Sequence, residues 1–146
     1  MHKAENSIVK TILILASLVL GSITSLTTAE EHPMNATNIA QSYFEHMRAQ
    51  DLNVVELFHE DAQLLGLGRR TKGKVAIKAF YTEAVAVGGP QPQSSGPMLS
   101  DGSTVAAPID ITLSDGSIIH AVDIFVIEDG KIRSLTYFLA DIPAES

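Results

Sequence analysis

Tyr43 and Asp123 are the two residues whose surroundings set them up for chemistry. Tyr43 belongs to an apolar stripe with Ile39, Ala40, Met47 and the neighbouring Phe44, at the spacing of one helix face. Its ring should turn inward and carry along a hydroxyl that needs a partner or a ligand. Asp123 lies mid-strand and, in an extended chain, shares a face with Ile119, Ala121, Phe125 and Ile127. An ionised carboxylate on such a face is costly without partners. No Lys or Arg lies nearby in sequence, so burial should raise its pKa and leave a neutral acid that can donate a hydrogen bond. If both donors faced one apolar site, they would suit the oxygen of a small apolar carbonyl compound. The same residues would equally serve as a structural pair in a non-catalytic binding or dimerisation module. An open cavity of about 300 Å³ or more reaching both side chains fits the first reading, and a filled core fits the second.

Other chemistries find less support. The chain has no Cys, which excludes thiolate nucleophiles, disulfides and Cys-ligated metals. No His or carboxylate pair has metal-ligand spacing, and no phosphate loop, dinucleotide fingerprint or Gly-x-Ser-x-Gly turn is present, so neither metal nor cofactor is expected. His46 and His59 read as surface residues near helix ends, and His120 points away from the face of Asp123. The net charge is −7. Removing Lys3, Lys10 and Glu5 with the first 29 residues leaves −8, a poor balance for nucleic-acid binding. The one basic cluster, Arg69, Arg70, Lys72 and Lys74, reads as a solvated turn before a helix.

The elements that must position the pair follow from periodicity. Helices are expected over 37–49 with Thr37 as N-cap, from Asp51 through Phe58, and over 74–86 with Val75, Ala76, Ala79, Phe80 and Val85 buried. A short strand is expected over 62–67, a turn over 68–73 and a loop over 87–96. From Pro97 the period changes to that of strands. Asp101-Gly102, Asp115-Gly116 and Asp129-Gly130 separate runs at about 97–100, 103–113, 117–128 and 131–139, a hairpin signal repeated three times. Helices followed by such a meander make an α+β fold. Strand 117–128 is apolar on both faces, so one face should cover helices or a cavity and the other a second copy, giving a homodimer.

The first 29 residues read differently. Lys3 and Lys10 precede the apolar run 11–20, small and polar residues follow to Ala29, and Glu30-Glu31 come next. This is the order of a secretory signal peptide, with cleavage expected after Ala29. The run is shorter than the about 20 residues a membrane span needs, so no stable anchor is expected after cleavage; retention as an uncleaved anchor is the rival. The organisation is then a signal peptide (1–29), a linker (30–36), one domain (37–140) and a tail (141–146), with the mature protein periplasmic or secreted.

The stretches Tyr43–Asp51, Val55–Ala62, Gly73–Tyr81 and Val122–Ile132 running on to Leu135–Phe138 resemble, in order and spacing, the nuclear transport factor 2-like superfamily in its SnoaL-like and ketosteroid isomerase-like form. The resemblance implies a cone: three N-terminal helices packed on a curved antiparallel sheet around a pocket. It also implies roles. Tyr43, eight residues before Asp51, matches the first-helix Tyr, and Asp123, two before Phe125, matches the neutral strand Asp; both hold an enolate in the isomerases. These are the candidate catalytic pair, with Tyr137, Phe125, Phe58 and Gly66 as the substrate-binding surface. The isomerase base is an Asp on the first strand, and its position here is Gly66. The epoxide hydrolases of this fold pair an Asp with an Arg two residues earlier, where Ala121 stands. The fold hosts isomerases, cyclases and hydrolases alike, so whether a reaction occurs stays open.

Overall fold

The computed structural model describes residues 35–140. The expected signal peptide, most of the linker and the tail lie outside the described residues. The first helix, α1, spans Ala36–Arg48 and buries Ile39, Ala40, Tyr43, Phe44 and Met47. Its N-cap is Asn35, whose side chain accepts from the Thr37 backbone N–H at 3.0 Å; the helix thus starts before Thr37, the expected cap. Asp51 caps the next element, which is a 3-10 helix over Leu52–Leu57 rather than an α-helix reaching Phe58.

The second α-helix, α2, spans Lys74–Ala86 as expected, but a different face is buried. Ile77 and Tyr81 go inward, while Val75 is 86% exposed and Ala76 and Ala79 are exposed. The helix is apolar on more than one side, so contact with the sheet chose the face where the pattern alone could not.

Seven strands form one sheet: β1 (Phe58–Gly66), β2 (Arg69–Lys72), β3 (Gln91–Ser94), β4 (Leu99–Ser100), β5 (Thr104–Thr112), β6 (Ile118–Glu128) and β7 (Lys131–Leu139). Their order is β2-β1-β7-β6-β5-β3, with β4 also on β5. The expected four-strand meander is β4-β5-β6-β7, with β4 reduced to Leu99–Ser100. β1 joins β7 in parallel, so the sheet is mixed rather than wholly antiparallel. Two segments expected as turn and loop are edge strands. β2 is charged and β3 carries Pro92, features that suit an edge and hide a strand from pattern reading. Asp129 and Gly130 both have positive φ in a tight β6–β7 turn, the conformation the Asp-Gly signal anticipates. The concave face packs α1 against β3 and β5, and α2 against β1 and β2.

Candidate functional site

Register decides what meets on the concave face. Asp123 sits opposite Ala107 on β5 and Tyr137 on β7. Ala107 is fully buried, and Tyr137 lines the same cavity as Asp123. From the helix side, α1 supplies Tyr43 and α2 supplies Tyr81. Phe58 and Phe125 stand behind Tyr43 with ring centroids 6.3 and 5.2 Å away, both edge-on, and fix its ring.

The three tyrosine hydroxyls form a closed ring. Tyr81 donates to Tyr43 at 3.1 Å, Tyr43 and Tyr137 are 3.2 Å apart, and Tyr137 and Tyr81 are 2.8 Å apart. Each hydroxyl has one proton. With Tyr81 donating to Tyr43, the consistent circuit runs Tyr81 to Tyr43 to Tyr137 and back to Tyr81. The longest edge is the one Tyr43 donates. Burial raises all three hydroxyl pKa values, and their neighbours and Asp123 add to this for Tyr43. The tyrosines are therefore neutral donors, not bases.

Asp123 is 1% exposed, and its Oδ1 has no hydrogen-bond partner among the described residues. Burial alone pushes its carboxyl up to about 8, so the neutral acid dominates at neutral pH. An orphan oxygen this deep is costly unless something pairs with it.

Tyr43, Tyr81, Tyr137 and Asp123 line one cavity of about 70 Å³. The rest of its wall is apolar, including Phe80, Leu67, Pro90, Pro92, Ile109 and Ile111. The volume lies below the about 300 Å³ of a typical ligand pocket and well above the space one water needs. It suits the polar end of a ligand whose remainder crosses the apolar rim. A wider groove of about 480 Å³ lies between α1 and residues 94–98, but none of the four polar groups faces it.

The structure thus brings Tyr43, Tyr137 and Asp123 together, with no hydrogen bond between Tyr43 and Asp123. Phe58 and Phe125 back the site without lining the cavity. Gly66 lines a neighbouring cavity of about 10 Å³. Its φ is +128°, and a Cβ there would lie 2.7 Å from the Tyr137 carbonyl oxygen. The backbone of β7 therefore excludes any side chain where the isomerase base would stand. Sequence reading missed Tyr81. The available signal was its place four residues after Ile77 on one helix face, with a polar tip on a buried ring.

The histidines pin surface structure. His46 pairs with Asp51 at 2.8 Å, His59 with the Glu128 carbonyl oxygen at 2.7 Å and His120 with Asp110 at 2.7 Å. Among the described residues no three His, Asp or Glu side chains group as metal ligands, and no helix is long and apolar enough to cross a membrane.

Residues 40–135 match the SnoaL-like domain family. The chain belongs to that family. No curated protein matches its sequence. Solved structures similar to this SnoaL-like domain include a nuclear transport factor 2-like protein of unknown function from Cytophaga hutchinsonii, 15% identical, TM-score 0.62, covering 70% of this chain and 88% of that one. A candidate ketosteroid isomerase from Kribbella flavida is 20% identical, TM-score 0.62, with 74% and 79% covered. A candidate polyketide cyclase from Sinorhizobium meliloti is 26% identical, TM-score 0.59, with 68% and 93% covered. The architecture is thus the α+β cone of this superfamily, helices on a curved, unclosed mixed sheet.

Proposed function

We propose that this SnoaL-like domain is exported and binds a small apolar carbonyl compound, with Tyr43 and Asp123 donating to its oxygen in isomerase- or cyclase-type chemistry. The observation that carries the reading is the buried, unpartnered Asp123 Oδ1 beside the tyrosine ring in an otherwise apolar cavity. The similarity to a candidate cyclase and a candidate isomerase supports it.

A carbonyl oxygen entering the cavity would accept the hydrogen bond of Tyr43, whose 3.2 Å bond to Tyr137 is the longest edge of the ring. The other two bonds then point along a chain, Tyr137 to Tyr81 to Tyr43 to ligand, and each strengthens the next. Neutral Asp123 supplies the second donor. As negative charge grows on the oxygen both bonds strengthen, which is how such a site favours an enolate-like state. The remaining need is a proton acceptor. Gly66 offers none, so it falls to the ligand itself, to water or to the ionised minority of Asp123.

A second reading has its own support. The three hydroxyls satisfy one another, as a structural cluster in a binding or dimerisation module would, and the cavity of about 70 Å³ falls short of the about 300 Å³ set for an open ligand pocket. Titrating the protein with cyclohexanone carrying carbon-13 at the carbonyl separates the two. The first reading expects a downfield carbonyl shift on binding, kept in Asp123→Asn and lost in Asp123→Leu. No saturable shift leaves the structural cluster. Export rests on the charge and hydropathy order of residues 1–29; an intact mass starting at Glu30 in the exported fraction supports it, and a full-length mass in the membrane pellet refutes it.

A further inference from the structure

Phe80, Leu67 and Tyr137 are shared walls. On one side they close the cavity that ends at Asp123, and on the other the small cavity that ends at Arg69 and Thr71. Arg69 and Thr71 lie two apart on β2, so they share a strand face, and Thr71 is buried. Arg69 therefore lies on the pocket side of this edge strand, and Arg70 and Lys72 on the other. Its guanidinium carbon lies 5.7 Å from the centre of the Phe80 ring. That contact holds the cation against Phe80, a wall of both cavities, without using its N–H groups. Arg133 and Lys74, by contrast, are committed to Asp61 and Glu128, and to Glu56 and Glu60. Among the described residues Arg69 has no carboxylate partner, like Arg48, Arg70, Lys72, Lys78 and Lys131, but of these it alone lines either of the two cavities.

We propose that Arg69 is a specificity-determining residue and that the ligand of this site is an acid: an apolar carbonyl compound whose far end carries a carboxylate. The inference rests on the proposed carbonyl site and adds its second anchor. The carbonyl goes down to Tyr43 and Asp123, the apolar middle crosses Leu67 and Phe80, and the carboxylate meets the planar fork of Arg69 at the rim. The 70 Å³ cavity fits this division, because it takes only the head of such a molecule. Apolar walls alone would not distinguish the acid from its ester, so the charge selects.

The test compares 5-(4-oxocyclohexyl)pentanoic acid with its methyl ester on the full chain, by NMR titration at low salt. The acid is expected to bind about fivefold more tightly, the size of one partly exposed ion pair. The preference should shrink with added salt. Arg69→Gln should bring the ratio to about one without weakening the ester, Arg69→Lys should keep part of it, and Arg70→Gln should leave it intact. Arg69 is exposed, and thermal unfolding checks that its variants stay folded. Binding of both probes with no preference, or a preference that survives Arg69→Gln, overturns the role of Arg69 and leaves the carbonyl site standing. Binding of neither probe overturns the carbonyl site, and this inference with it.

Discussion

Replacing Asp123 by Asn should flatten the pH dependence of stability. In the folded protein the carboxyl titrates at about 8, against an ordinary value of 3.8. The sign follows from proton binding. Between these values the folded state holds a proton that the unfolded chain has released. Stability is therefore fully present below the unfolded value and falls as pH rises towards 8. The slope approaches about 1.4 kcal/mol per pH unit, so the loss between pH 5 and pH 7 is on the order of 3 kcal/mol. That is a large share of the roughly 5–15 kcal/mol that holds a domain together. Asn is neutral in both states and has no such slope. The histidines are common to both proteins and cancel in the difference, and the tyrosines titrate higher still. Urea unfolding of wild type and Asp123→Asn at pH 5, 6, 7 and 8 gives the difference directly. Wild type should lose ground to the variant with each unit, levelling off above pH 8. A constant offset across the series would refute the burial argument, whatever its size.

Tyr81→Phe should cost about 1–3 kcal/mol in chemical denaturation, because it leaves two buried hydroxyls a partner short. It should also weaken ketone binding severalfold while Tyr43 and Asp123 stay in place. Gly66→Asp, which restores a carboxylate where the isomerases carry their base, should lower stability by about 2–3 kcal/mol, since φ is +128° and β7 blocks the Cβ. Recovery of isomerase activity without that loss would contradict the geometry. We propose a homodimer through the convex sheet face, where Ile118, Val122 and Phe138 are exposed together on β6 and β7. Light scattering at micromolar concentration should give twice the chain mass, and Phe138→Lys should reduce it to one; a monomeric wild type would end the proposal.

The site was legible where burial imposes a period. Tyr43 on the α1 stripe and Asp123 on the inward face of β6 both follow from spacing, and the raised carboxyl pKa from the lack of a nearby cation in sequence. What the pattern could not carry is pairing. The parallel joining of β1 and β7 sets Gly66 against Tyr137, and no local signal states which strands neighbour each other. α2 shows the same limit, because with apolar residues around much of its circumference the choice of Ile77 and Tyr81 over Val75 belongs to the tertiary contact. Tyr81 was missed for that reason, and the tyrosine ring with it. β2 and β3 were hidden because edge strands are built from the charges and prolines that elsewhere mark turns. Arg69 passed as a solvated turn residue until the strand face it shares with Thr71 was known.

The most direct test is carbon-13 titration of the Asp123 carboxyl, free and saturated with a cyclohexanone probe. A neutral acid that donates to the ligand oxygen must titrate well above the ordinary 3.8 in the unliganded site, as its burial directs, and higher still when the ligand holds its proton in place. A solvent-like value near 4, or one that the ketone leaves unmoved, would contradict the account.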